Sequence, residues 1–249
     1  MSTDHSDPRR ILELLWGRAA RPSRGPRQAL TVERIVSAAA AIADADGLEA
    51  LSMRRLAAGL GVGVASLYTY VPGKDELLAL MLDHAISQDV LPHTLPGTWR
   101  EKVTAWARRD WNEYTAHPWT IQLVATRQLA GPGALGWLES ALRVFDGTGL
   151  GRGEAATAVQ SVDAFVRGQA QAAVSEAATR RPDGPEGASW RGVEDDFLAR
   201  HVDFGAYPAL VEAFSHGPLP GPEATFEFGL RALLDGIGAR LPPDGRMGA

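Results

Sequence analysis

The sequence predicts an all-α protein, with a small N-terminal helix-turn-helix bundle of three helices followed by a larger helical body. Three observations carry this. Apolar residues recur at helical spacing in nearly every segment, and no run alternates with the two-residue period of a strand. Leu51 to Lys74 (LSMRRLAAGLGVGVASLYTYVPGK) holds two short helical patterns around a Gly61-Val62 corner, the layout of a helix-turn-helix. Elsewhere, clusters of glycine and proline cut the chain into helix-length pieces.

Residues 1–8 lack apolar pattern. Arg9 to Arg18 forms a short amphipathic helix with Ile11, Leu12, Leu15 and Trp16 on one side. The stretch RAARPSRGPRQ that follows is rich in Pro, Gly and Arg, with arginines at Arg18, Arg21, Arg24 and Arg27. Two readings stay open for it: a solvated linker, or a basic arm that follows a DNA backbone or enters the minor groove. Leu30 to Asp46 is a helix with Thr31 as its cap, whose stripe is Val32, Ile35, Val36, Ala39, Ile42 and Ala43, and Gly47 ends it. Ser52 caps the next helix and Gly61 ends it. The second helix of the pair runs to about Tyr70, with Leu67 and Val71 turned to the first, and Pro72-Gly73 stops it. A fourth helix covers Asp75 to about Val90, with Leu77, Leu78, Met81, Leu82 and Ile86 inward.

In the body, helices are expected over 99–116, 119–129, 135–145, 154–179, 192–201, 207–214 and 223–241. His117-Pro118, Gly131-Pro132-Gly133, DGTGLGRG at 146–153 and RRPDGPEG at 180–187 separate them. The organisation is therefore an arm over 1–28, a head over 29–91 and a body over 92–249.

Composition narrows the function classes. The chain of 249 residues has no cysteine, which excludes disulfides and thiolate metal sites and fits a cytoplasmic protein. No apolar run reaches membrane-spanning length, and no export signal is visible at the N-terminus. Net charge is −5. Arg18 to Asp75 nevertheless holds eight basic against five acidic side chains, +3, leaving −8 elsewhere. A basic head on an acidic body is the asymmetry expected when one end meets phosphate. His84, His93, His117, His201 and His216 show no metal-ligand spacing and read as surface or boundary residues. The acidic run at 194–196 reads as a solvated helix face. No phosphate loop, dinucleotide fingerprint or nucleophile elbow is present, so neither an enzyme nor a cofactor is indicated.

The head resembles the TetR family of one-component bacterial repressors. The residues that carry the likeness are VERIVSAAAAIADADGLEALSMRRLA, the corner LGVGVASLYTYV, and GKDELL opening the fourth helix, over about 30–90. The body is similar to the tetracycline-repressor branch only in helix count and lengths. The resemblance implies that residues 63–70 enter the major groove. With Leu67 inward, Ala65, Ser66 and Thr69 face outward, flanked by Val64 and Tyr68. It also implies a base or phosphate contact from Arg54 and phosphate contacts from Tyr68, Tyr70 and Lys74. Lys74 sits where its charge opposes the helix dipole, which makes sense beside an anion. The outward face carries no Arg, Asn or Gln to read a base through paired hydrogen bonds. Selectivity is therefore expected to lean on Arg54 and the arginine arm.

The body carries tryptophans at 99, 106, 111, 119 and 137. Singly, each is an ordinary core residue. Together with Asp110, Asn112, Gln128, Asp163 and Gln169, they suit a small-molecule cavity. Trp106, Asp110, Trp137, Phe145, Phe165 and Gln169 are the expected ligand residues. The resemblance also implies a homodimer through 154–179 and 223–241, where Ala155, Ala156, Ala158, Gly168, Ala170 and Gly229 permit close helix approach. The function expected is a repressor released from a palindromic DNA operator by an amphipathic or aromatic small molecule. A helical small-molecule binder or enzyme with a head vestigial for DNA is the alternative, resting on the thin recognition face. Activation in place of repression stays open.

Overall fold

The computed structural model describes residues 7–18, 30–88, 90–126, 130–180, 193, 196–215, 217 and 220–242, and helices dominate them with no strand among the described residues. The head helices are α1 (Pro8–Leu15), α2 (Val32–Asp46), α3 (Met53–Leu60), α4 (Val64–Tyr68) and α5 (Lys74–Ser87). Their ends follow local chemistry. Thr31 Oγ1 accepts from the Arg34 amide at 3.1 Å, and Ser52 Oγ from the Arg55 amide at 3.2 Å. Gly61 adopts φ +68°, and the amides of Gly61 and Val62 donate to the carbonyls of Ala58 and Ala57 at 3.1 and 3.0 Å. That pair of bonds is a Schellman motif, and it sets the corner between α3 and α4. Ile35, Leu51, Leu56, Leu67, Val71, Leu77 and Met81 are all but sealed from solvent and form the head core.

Three differences from expectation have physical causes. The recognition helix closes at Tyr68, two residues early, and Thr69 Oγ1 donates back to the Ser66 carbonyl at 2.6 Å. Between Gly47 and Ser52 a 3₁₀ turn, Leu48–Ala50, carries the chain from α2 to α3. The N-terminal helix starts at Pro8 under an Asp7 cap and is part of the head: Leu15, Ile11 and Leu14 pack into its core beside α5.

The body comprises α6 (Trp99–Ala116), α7 (Pro118–Thr126), α8 (Pro132–Arg143), α9 (Arg152–Arg180), a helical segment α10 over 196–201, α11 (Pro208–Ser215) and α12 (Pro222–Gly238). A full capping box, Thr98 with Glu101, opens α6. Helices α7, α8 and α12 each start at a proline, earlier than expected, because proline in the first turn loses no hydrogen bond. Helices α6 and α12 pack on α9. Their shared core includes Val103, Trp106, Trp111, Val162, Phe226, Leu230 and Leu234. Trp111 and Phe165 stack on Phe226, with ring centroids 4.5 and 5.8 Å away.

Two joints tie head to body. Asp83 on α5 is buried and accepts from the amides of Gly133 and Ala134 at 3.2 and 3.1 Å, so one α5 carboxylate caps the start of α8. Asp44 on α2 accepts from Trp119 Nε1 at 2.6 Å and pairs with His117 Nδ1 at 2.7 Å. Trp119 and Leu123 of α7 complete the head core.

Candidate nucleic-acid interface and small-molecule cavity

In the head, α3, α4 and the start of α5 each turn side chains to solvent. Leu67 is fully buried and Val71 with it, which turns the opposite side of α4 to solvent. Ala65, Ser66, Tyr68 and Thr69 are exposed, and Val64 and Tyr70 are half-buried against the head core. Arg54 is exposed on the first turn of α3. Its neighbour Arg55 is instead held by Asp46, so of the two arginines only Arg54 has no ion pair among the described residues. Lys74 is the exposed first residue of α5. The structure thus brings Arg54, Ser66, Tyr68, Thr69 and Lys74 to the solvent side of the same three helices. The Thr69 hydroxyl donates to the Ser66 carbonyl and is left as an acceptor. Arg18 is exposed just beyond α1, whereas Arg21, Arg24 and Arg27 lie outside the described residues.

A cavity of about 200 Å³ sits where α5 meets the body. Leu82, Ala85 and Ile86 of α5 form one wall; Asp110, Glu113 and Tyr114 of α6 another; Thr120 and Val124 of α7, Ala134 and Trp137 of α8, and Asp163 of α9 close it. Mostly apolar walls with a few polar groups are the usual makeup of a small-molecule site. Asp163 pairs with Arg167 at 3.2 Å. Burial raises its pKa in spite of that attraction.

Of the expected ligand residues, Asp110 and Trp137 line this cavity. Trp106 stands behind them: its Nε1 donates to Asp110 Oδ2 at 2.5 Å, and its ring meets Trp137 edge-on at 5.2 Å. It positions the wall. Phe145 and Phe165 do not line it. Phe145 is buried against Trp99 with ring centroids 5.7 Å apart, and Phe165 lies over Gly229, where a Cβ would come within 2.6 Å of the ring. Both side chains fill the core between α9 and its neighbours. Gln169, half-buried on α9, is not part of the wall either. The other nine lining residues stand outside the expected set and are spread over α5 to α9; among them Leu82 and Ile86 of α5 were expected in the head core alone. The spacing of Asp110, Glu113 and Tyr114 on one face of α6 was the available signal.

A second, larger hollow of about 640 Å³ runs along the outer side of α9 and α12, between Leu150, Ala158, Ser161, Ala232, Gly236 and Ile237. The small residues divide here. Ala155, Ala158 and Ala170 are buried in the chain's own core and Gly229 makes room for Phe165, whereas Gly168, Ala232 and Gly236 face solvent. Among the described residues, no group of His, Cys, Asp or Glu is arranged to hold a metal, and no helix is long and apolar enough to cross a membrane.

Known proteins match along both halves. The sequence model described as "Bacterial regulatory proteins, tetR family" matches residues 35–81, and that of the "Tetracyclin repressor-like, C-terminal domain" matches 91–241. The HTH-type transcriptional repressor DrrR1 of Streptomyces coeruleorubidus is 41% identical over 233 residues, covering 93% of this chain and 86% of that protein. The Escherichia coli tetracycline repressor protein class E is 27% identical over 218 residues, covering 85% and 92%. Among solved structures, the Streptomyces coelicolor protein ActR in complex with actinorhodin superposes with a TM-score of 0.70 at 31% identity, covering 86% of this chain and 97% of that one. These relatives are transcriptional regulators, and they do not favour a head vestigial for DNA.

Proposed function

The chain belongs to the tetR family of helix-turn-helix transcriptional regulators, and from that premise we propose that two copies hold a palindromic operator until a small amphipathic or aromatic molecule enters the α5–α8 cavity. The observation that carries the proposal is α5. Its first residue, Lys74, is exposed just after the helix-turn-helix, and its last turns, with Leu82, Ala85 and Ile86, form a wall of the cavity. A ligand that favours one placement of that wall shifts the population toward it, and the attached recognition helices lose their spacing over successive major grooves.

In this reading Ala65, Val64 and the Thr69 methyl meet thymine methyls, and Ser66 supplies a single hydrogen bond. Arg54 reads a base edge or a phosphate. Tyr68, Tyr70 and Lys74 hold the backbone. Copies associate through the exposed hollow along α9 and α12, whose solvent-facing small residues let a second pair of helices approach. The test uses an operator recovered by selection from a random duplex library. Arg54→Ala, Tyr68→Ala and Lys74→Ala should each weaken binding by roughly 1–3 kcal/mol, Tyr68 and Lys74 uniformly across sequences. Unchanged affinity in all three overturns the assignment of this face.

For the arginine arm, the packing of α1 changes the choice of variant. Removing the first 28 residues would also remove Leu15 from the head core. Replacing Arg21, Arg24 and Arg27 together by alanine is cleaner. An arm that follows the backbone then loses about 0.9 of salt slope for each phosphate contact given up. An unaltered slope identifies a linker.

A further inference from the structure

The proposal above leaves the chemistry of the effector unspecified, and the cavity that would receive it is charged on one side only. Leu82, Ile86, Val124 and Trp137 offer flat apolar surface. Three carboxylates, Asp110, Glu113 and Asp163, line it beside the Tyr114 phenol, and no Lys, Arg or His side chain is in the lining. Two groups reach these carboxylates from outside the lining: Arg167 pairs with Asp163 from one helical turn further along α9, and His117 Nε2, itself bonded to Asp44 through Nδ1, stands 3.8 Å from Glu113. The first contact does not offset what Asp163 loses in hydration, since burial outweighs Arg167 and raises the carboxyl's pKa. The Asp110 carboxylate is fixed in the wall by the Trp106 indole. Trp137 and Tyr114 add aromatic rings to the lining, a residue type that attracts a desolvated cation. A neutral ring system would gain only the apolar walls. An anion would meet only carboxylates among the charged groups of the lining, and their repulsion grows with burial, as at Asp110 and Asp163.

We infer that the effector is an apolar or aromatic molecule carrying a protonated amine, its rings against Trp137 and the α5 wall and its ammonium group among Asp110, Glu113 and Asp163. This rests on the reading of the cavity as the effector site. In ActR the printed ligand is actinorhodin, and the charge preference inferred here is drawn from this chain's own lining residues.

Two tricyclic probes of similar shape and opposite charge test it on the full-length protein: 9-aminoacridine, a cation at neutral pH, and anthracene-9-carboxylate. Calorimetry without DNA should show the cation binding at least tenfold more tightly. The double variant Asp163→Asn/Glu113→Gln should cut the cation's affinity at least fivefold while leaving the anion's unchanged or improved. The two single variants, each checked by circular dichroism, replace the double should it not fold. An anion that binds as well as the cation, binding of neither probe, or a cation affinity indifferent to these substitutions overturns the inference. Operator release separates the two layers. Release by a neutral or anionic compound from a mixed panel, with no release by cations, removes the charge assignment and keeps the release mechanism. No release by any compound overturns the mechanism itself.

Discussion

Asp163 shows how a single side chain carries both a stability term and a functional one. Its carboxyl is held above the ordinary aspartate pKa because burial disfavours the charged form, and Arg167 recovers only part of that. A folded-state pKa raised over the unfolded one means that stability falls as pH rises through the window between the two. Asp163→Asn removes the dependence. In thermal melts across that window the variant should hold its midpoint while the wild type declines relative to it. A site kept at some expense of stability is a common mark of binding surfaces. The opposite case is Leu67, which has no exposure at all and locks α4 onto α3. Leu67→Ala should cost about 2–5 kcal/mol by calorimetry and abolish operator binding through loss of the head rather than of a contact. Leu67 was legible from its place at the corner of a helix-turn-helix. Asp163 was legible only as a polar residue midway along a helix, because nothing local says what stands across from it.

Helix α8 makes the same point one level up. Its start is set by tertiary contact: Asp83 caps it from α5, and Trp16 Nε1 of the α1 end donates to the Ala130 carbonyl at 3.0 Å. The Gly-Pro-Gly stretch announces a loop in the sequence, but the reason for its glycines lies on another helix. A Cβ on Gly133 would stand 2.4 Å from the backbone oxygen of Asp83, which cannot swing away. Gly133→Ala should therefore separate α5 from α8, at roughly 1–3 kcal/mol for overpacking, and disturb the cavity between them. Gly136, one turn further along the same helix, has open space where its Cβ would stand. Gly136→Ala is expected to stabilise by about 0.4–1 kcal/mol, so paired melts of the two variants isolate the contact from helix propensity. Helix α1 follows the same logic. Its amphipathic pattern was readable, and its membership in the head core was not, because the partner surface on α5 comes some sixty residues later.

At the scale of the whole molecule, one exposed apolar surface among the described residues lies on α9 and α12. Phe228 is 70% exposed, and Ala232 and Gly236 follow it at four-residue steps on one face of α12. A phenylalanine that open on an otherwise well-packed helix is what a second copy would cover. Phe228→Asp should shift the sedimentation coefficient from dimer to monomer with its circular dichroism retained, and operator affinity should fall with it, since one half-site alone binds weakly. A monomeric wild type at micromolar concentration would remove this surface from the account.

Local rules were enough for the helix ends of the head: Thr31, Ser52 and Gly61 act through bonds to residues within five positions of themselves, so their roles can be read along the chain. The all-α architecture and the solvent-facing side of α4 follow from the same short-range periodicity. The cavity does not. Its walls come from five helices spread over residues 82–163, and which face of α5 meets α8 depends on a buried carboxylate and two glycines acting across about fifty residues. Hydrophobic periodicity marks a side chain as buried without naming what it is buried against. For that reason Trp106, Phe145 and Phe165 looked alike in sequence, and only the packing of α6, α8, α9 and α12 separated a wall support from two pieces of core.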